Sequence, residues 1–191
     1  MNPLPQFSEW LDAAKARKDI AEPTAMSLAT IGGDGQPSLR IVLLKAHDER
    51  GFVFYTNLQS RKSRELFANP KAALCFHWMP LERQVRIEGT AEPVSDAEAD
   101  AYFASRPRES QLGAWGSKQS EPLTNLAVLF QEIKDAEAAY DGRDVPRPPH
   151  WSGWRIVPQQ IEFWQQGAFR LHDRQLYVKN GAGWSVTGLY P

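Results

Sequence analysis

Near the start of the chain, Phe7, Trp10, Leu11 and Ala14 recur at helical spacing and predict a helix through "FSEWLDAAKARK". The pattern then changes to short apolar or alternating runs separated by Gly, Asp, Pro or polar turns: "AMSLATI", "RIVLLK", "FVFYTN", "KAALCFHW" and "RQVRIEGTAEPV". This is the rhythm of a meandering antiparallel sheet or barrel. Helical stretches interrupt it. "SRKSRELFAN" starts at Ser60, "SDAEADAYFASR" opens with the capping box Ser95-x-x-Glu98, and a longer helix is expected from Pro122 to about Tyr140. A Pro/Gly-rich loop follows, with Trp151 and Trp154 giving it something to bury. "WRIVPQQIEFW" and the pair "QLYV"/"GWSV" around Asn180-Gly181 close the sheet. The fold class expected is mainly β, a barrel core with peripheral helices in one domain over residues 1–191. Residues 1–22 form an amino-terminal helix region, and 141–153 the Pro/Gly-rich loop.

"RIVLLK" has four aliphatic residues between Arg40 and Lys45, which predicts a strand covered on both faces. Strand alternation would turn the two cations to opposite faces, roughly 16 Å apart at about 3.3 Å per residue. They could simply reach water at the two ends, or they could serve ligands.

Composition narrows the function. With 42% apolar and 24% charged residues, the chain has the make-up of a soluble globular protein, and no apolar run nears the roughly 18 residues that span a bilayer. The opening "MNPLPQFSEW" does not resemble a signal peptide, and the one cysteine, Cys75, excludes an internal disulfide, so a cytoplasmic protein with a reduced core thiol is expected. A net charge of −1 argues against general attraction to nucleic acid. The four histidines lie too far apart for a metal site, and Walker A, dinucleotide and Gly-x-Ser-x-Gly motifs are absent.

Local cation groups are the remaining chemistry. Arg61 and Lys62 would fall in the first turn of a helix capped by Ser60, where the dipole disfavours positive charge but free N–H groups suit a phosphate. "FRLHDR", drawn as a strand, puts Arg170, His172 and Arg174 on one face, around an imidazole able to carry a proton. Tyr102 and Arg106, four apart on a helix, with Ser110 in the loop after Pro107, resemble a third oxyanion cradle. Gln84 lies on the polar face of its strand, Gln119 and Ser120 precede a helix, and Trp164 is an aromatic of core type. Each group also has a plain reading as solvated, capping or packing residues.

In order along the chain, "RIVLLK", "GFVFYTN", "SRK", "LERQVRIEG", "YFASRPRESQLGAW", "SKQS", "IEFWQ" and "RLHDR" resemble the pyridoxine/pyridoxamine 5′-phosphate oxidase family from about Pro23 to the carboxyl end, more weakly back to Phe7. The resemblance implies an FMN-binding split β-barrel, a homodimer with active sites shared between subunits. It also implies oxidation of pyridoxine or pyridoxamine 5′-phosphate to pyridoxal 5′-phosphate, with O₂ as acceptor and release of H₂O₂. It assigns FMN to Arg40, Ile41, Val42, Leu43, Leu44, Lys45, Tyr55, Thr56, Arg61, Lys62, Gln84, Gln119, Ser120, Trp164 and Arg174. The substrate phosphate goes to Lys45, Tyr102, Arg106 and Ser110. Arg170, Leu171 and His172 lie against the substrate, with Arg170 and His172 as the catalytic pair: Arg170 positions the reacting group and His172 fixes the ring or handles a proton. No metal is implied.

The match has three departures: a start close to the first helix, without the longer segment that covers the substrate in some relatives; Ser152 where glycine is usual; and Gly188 in place of an arginine. A split-barrel flavin or deazaflavin reductase, or a non-catalytic carrier of FMN or pyridoxal phosphate, would share part of the pattern. Neither needs the second phosphate cradle.

Overall fold

In the computed structural model, which describes residues 2–191, the sheet is built from nine strands and flanked by five α-helices. Helix α1 (Leu4–Lys15) buries the four apolar residues that its spacing selects. Phe7 is fully buried and meets the edges of Phe52 and Phe76, with ring centroids 4.9 and 5.2 Å away. The strands are β1 (Ala25–Ile31), β2 (Pro37–Leu43), β3 (Ala46–Asp48), β4 (Gly51–Asn57), β5 (Lys71–Trp78), β6 (Arg83–Pro93), β7 (Trp151–Gln165), β8 (Asp173–Asn180) and β9 (Gly183–Gly188). Their order is β2-β1-β5-β6-β7-β4-β3, with β8 also on β7 and β9 on β8. All pairings are antiparallel.

Strand β7, fifteen residues long, organises the barrel. Its first half pairs with β4, its second half with β8, and β6 runs along its other side. The β6–β7 register shifts at Glu88/Gly89, and an added Cβ at Gly89 would lie 2.1 Å from the Val157 carbonyl oxygen. Such a bulge with close backbone approach bends a sheet. The enclosed core is rich in Phe, Leu, Ile and Trp from both sheet halves and α1.

Helices α2 (Arg61–Ala68), with Ser60 at its N-cap, and α3 (Asp96–Ala104), with the Ser95/Glu98 capping box formed, match the sequence reading. The β8–β9 hairpin does too, with Asn180 paired to Gly183 and Gly181 at φ 58°.

Several expectations are corrected. Strand β2 stops at Leu43, so alternation does not extend to Lys45, whose N–H instead bonds the Val53 carbonyl at 2.8 Å. Nor is β2 covered on both faces. It is a sheet edge, with Leu39 68% and Ile41 62% exposed. "FRLHDR" is not a strand: Ala168–Arg170 is a 3₁₀ turn with Phe169 and Arg170 at φ 56° and 65°, because the chain must reverse between Gln165 and Asp173, which pair across β7 and β8. Ser110 lies in a helix, α4 (Arg108–Gly116), and not in a loop. Arg106 falls just beyond α3. Helix α5 (Leu126–Ala139) starts after Pro122, at Asn125, whose side chain caps it. Strand β7 begins at Trp151, earlier than expected. Cys75 is half-buried, not a full core residue.

Among the described residues no helix is long and apolar enough to cross a membrane. No group of three or more His, Cys, Asp or Glu among them could hold a metal ion.

Candidate active site

A cleft of about 780 Å³ opens where β2, the end of β4 and the start of β7 meet α2, α3 and α4. Eleven of the expected site residues line it: Ile41, Val42, Leu43, Lys45, Tyr55, Thr56, Lys62, Tyr102, Arg106, Ser110 and Gln119. Two cation groups share this space.

Lys62 forms the first. It is 9% exposed, and its Nζ donates to Thr56 Oγ1 at 2.9 Å, Ser60 Oγ at 3.2 Å and Gln119 Oε1 at 3.0 Å. These acceptors are neutral, and no carboxylate among the described residues pairs with it. Burial, reinforced by the nearby charge of Arg40, lowers its pKa to about 8. The ammonium is held in place without its charge being compensated.

Arg106, with Lys45, Tyr102 and Ser110, forms the second. The Arg106 guanidinium lies 4.8 Å from the Trp151 ring centroid and 5.5 Å from that of Phe103. Its Nη1 is buried without a hydrogen-bond partner. Burial lowers its pKa. The stacking holds the group while leaving a donor unused, which is costly unless a ligand accepts from it.

An aromatic platform joins the two groups. Tyr55 stacks on Tyr102 with centroids 4.0 Å apart and planes at 10°, and on Trp151 at 5.4 Å and 4°. Across the β4–β7 pairing Tyr55 faces Gly153, where an added Cβ would come 2.7 Å from the Tyr55 ring. Ser152, in place of the usual glycine, is accommodated in β7 and 6% exposed. Trp151 is a lining residue that the sequence reading treated only as a loop anchor. Its place opposite Asn57 in the β4–β7 register carries it into the cleft, and no local motif signals that.

The other expected residues lie elsewhere. Leu44 is buried in the core. Arg40 and Arg61, next in the chain to the lining residues Ile41 and Lys62, do not themselves line the cleft, and both pair with Glu65. Burial alone would raise the Glu65 carboxyl, but hydrogen bonds from Ser38, Thr30, Arg61 and Arg40 outweigh it and hold the pKa at about 2. Ser120, at φ 73°, lines a neighbouring hollow.

Gln84, Trp164 and Arg174 gather at the far end of β7, where Gln84 pairs with Trp164 and Trp164 with Arg174. The His172 ring lies 4.7 Å from that of Trp164, and its Nδ1 accepts from the Gly167 N–H at 3.3 Å. Arg174 Nε donates to the buried Glu162 at 2.9 Å. Arg170 and Leu171 project from the adjoining turn and are exposed. From Trp151 to Trp164 the strand runs about 40 Å at roughly 3.3 Å per residue. None of these six residues lines the cleft, so one chain carries two separate groups of candidate residues.

Fold and cleft define a split-barrel protein whose cleft is lined by cations and a stack of aromatic rings. Comparison with known proteins specifies the family. The family described as Pyridoxamine 5′-phosphate oxidase matches residues 13–140, and the Pyridoxine 5′-phosphate oxidase C-terminal dimerisation region matches residues 151–191. A pyridoxine/pyridoxamine 5′-phosphate oxidase of Myxococcus xanthus (strain DK1622) is 54% identical over 190 residues, spanning 100% of this chain and 92% of the relative. The crystal structure of PhzG from Burkholderia lata 383, in complex with tetrahydrophenazine-1-carboxylic acid, superposes with a TM-score of 0.93 at 33% identity, covering 100% of this chain and 93% of PhzG. A pyridoxamine 5′-phosphate oxidase-related, FMN-binding protein of Nostoc punctiforme PCC 73102 shares the fold at TM-score 0.80 and 16% identity, covering 100% of this chain and 99% of its own. The chain belongs to the pyridoxine/pyridoxamine 5′-phosphate oxidase family.

Proposed function

We propose that this protein oxidises pyridoxine 5′-phosphate and pyridoxamine 5′-phosphate to pyridoxal 5′-phosphate, with FMN as cofactor and O₂ as acceptor, releasing H₂O₂ and, from the amine, whose oxidised carbon takes up water, also ammonia. The observation that carries this reading is that two cations without a carboxylate partner share one cleft: the buried Lys62, and the half-buried Arg106 with its Nη1 buried and unbonded. A phosphorylated cofactor beside a phosphorylated substrate would satisfy both. Each charge-assisted hydrogen bond to a phosphate contributes about 1.5–3 kcal/mol.

The residues present fit FMN. Lys62, Thr56 and Gln119 would hold its phosphate with Arg40 and Arg61, and Ile41, Val42, Leu43 and Lys45 with Tyr55 would line the rest of the cofactor. Ser120 would contribute from the loop after α4. When bound, FMN supplies the two-electron acceptor that takes a hydride from C4′ of the vitamer and is restored by O₂. The protein orients: Lys45, Tyr102, Arg106 and Ser110 fix the substrate phosphate, and the Tyr55–Tyr102–Trp151 platform walls off water.

Gln84, Trp164, Arg170, Leu171, His172 and Arg174, none of which lines the cleft of its own chain, would complete the site from the second subunit of a homodimer. The match to a dimerisation region and the uncovered Leu39 and Ile41 support that assembly. There Arg170 would position the reacting group, and His172 would hold the ring or carry a proton. One unpaired cysteine is consistent with work in the cytoplasm.

The test is purification with bound yellow flavin, followed by pyridoxine 5′-phosphate, pyridoxamine 5′-phosphate and their unphosphorylated forms under O₂, with H₂O₂ measured. Peroxide from the phosphorylated vitamers alone is expected. Flavin without peroxide would leave a carrier or a reductase, and absence of flavin would refute the cofactor assignment.

A further inference from the structure

Glu65 lies one turn after Arg61 in α2 and is 7% exposed. Donors from three elements converge on it. Thr30 Oγ1 of β1 and Ser38 Oγ of β2 donate to Oε2 at 2.5 and 2.6 Å, where Arg40 Nη2 joins them at 3.1 Å. Arg61 Nε donates to Oε1 at 2.8 Å. Arg40 Nη1 adds bonds to Thr30 Oγ1 and to the Leu28 carbonyl, and Nη2 one to Ser38 Oγ. This arrangement leaves Arg40 Nε and both terminal nitrogens of Arg61 without a partner among the described residues.

A carboxylate beside a phosphate site repels the ligand it stands next to. Its burial here, with four side-chain donors, makes sense if the orientation of the two arginines matters more than the charge it cancels. Guanidinium groups recognise phosphate through a rigid fork, so their value depends on direction. Lys62, by contrast, acts as a point charge held by neutral groups.

We propose that Glu65 is a positioning residue of the flavin-phosphate site: without touching the ligand, it locks Arg40 and Arg61 so that their free N–H groups meet the phosphate. The inference rests on the FMN reading above and goes beyond it by separating the groups that aim from the group that supplies charge. A glutamine at this position keeps the size but accepts through a single oxygen, and would turn an NH₂ toward donors.

The experiment uses flavin-stripped full-length protein titrated with FMN and with riboflavin, which has the same ring and no phosphate, following flavin fluorescence. The native protein should bind FMN at least tenfold more tightly than riboflavin; equal binding would remove the FMN-phosphate reading itself, whatever Glu65 does. Glu65→Gln should weaken FMN tenfold or more while changing riboflavin less than twofold. Equal loss for both ligands would make Glu65 a fold staple only, and tighter FMN would make it a mere competitor of the phosphate; either overturns the proposal. Circular dichroism checks folding. Should Glu65→Gln not fold, Ser38→Ala, which keeps the carboxylate and removes one partner of Arg40, decides the matter: a severalfold loss selective for FMN supports positioning, and an unchanged FMN-to-riboflavin ratio overturns it.

Discussion

The state of Lys62 makes flavin binding pH-dependent in a calculable way. In the protein as described, burial and the Arg40 charge hold this amine at about 8, far below the ordinary lysine value of 10.5. A flavin phosphate, a dianion above about pH 7, favours the ammonium and raises that pKa in the complex. Between the two values binding takes up a proton, so FMN affinity is level between about pH 7 and pH 8, where the phosphate is a dianion and the amine is charged, and falls as pH rises above that. One unit of separation corresponds to a factor of ten. From pH 8 to pH 9.5 the FMN affinity should therefore drop by roughly tenfold or more, whereas riboflavin affinity reports only the ring's own ionisation. The ratio of the two dissociation constants, measured by fluorescence from pH 6.5 to 9.5, isolates the phosphate effect. In Lys62→Met the ratio should be flat above about pH 7 and smaller at pH 7 by roughly 10- to 150-fold, the worth of one charge-assisted bond of about 1.5–3 kcal/mol. A native ratio that stays level through pH 9.5 would refute the assignment of the phosphate to Lys62.

Other outcomes follow from the same geometry. Arg106→Leu should raise KM for a phosphorylated vitamer roughly 10- to 100-fold, with the FMN dissociation constant moving less than threefold, because the lost donor serves the substrate; steady-state peroxide assays and flavin titrations check this. If sites combine the two residue groups from different subunits, mixing inactive Lys62→Met with inactive Arg170→Ala after subunit exchange should restore about a quarter of native activity, since random pairing leaves one intact site in each heterodimer. No recovery in confirmed heterodimers would place both groups in one subunit. Gly89→Ala, whose Cβ would meet the Val157 carbonyl at 2.1 Å, should destabilise the fold by about 1–3 kcal/mol in urea unfolding. Phe7→Ala, emptying a fully buried ring site, should cost about 3–5 kcal/mol and loosen α1 from the barrel.

What the sequence disclosed and what it concealed divide along a physical line. Periodicity located α1, the central strands and the β8–β9 hairpin, because the spacing that puts apolar residues on one face is set within the element itself, whatever that face packs against. The capping box was legible for a similar reason: both of its bonds lie within four residues. Lys62 stood out as a cation in a first helical turn, and the structure places it in the cleft wall. Residues whose setting comes from long-range pairing were not legible. Trp151 enters the cleft because it registers with Asn57, and Glu65 meets Thr30 and Ser38 because α2 packs on β1 and β2. Alternation misled at both ends of its range. It carried "RIVLLK" past Leu43, and it drew "FRLHDR" as a strand where two left-handed residues turn the chain. The second error has a consequence for chemistry. A turn leaves Arg170 and Leu171 exposed at the rim of the sheet, where the proposed dimer would need them; a strand would have held them along their own sheet. The same corner that defeats a local reading is thus what the proposed sharing of sites between subunits would need.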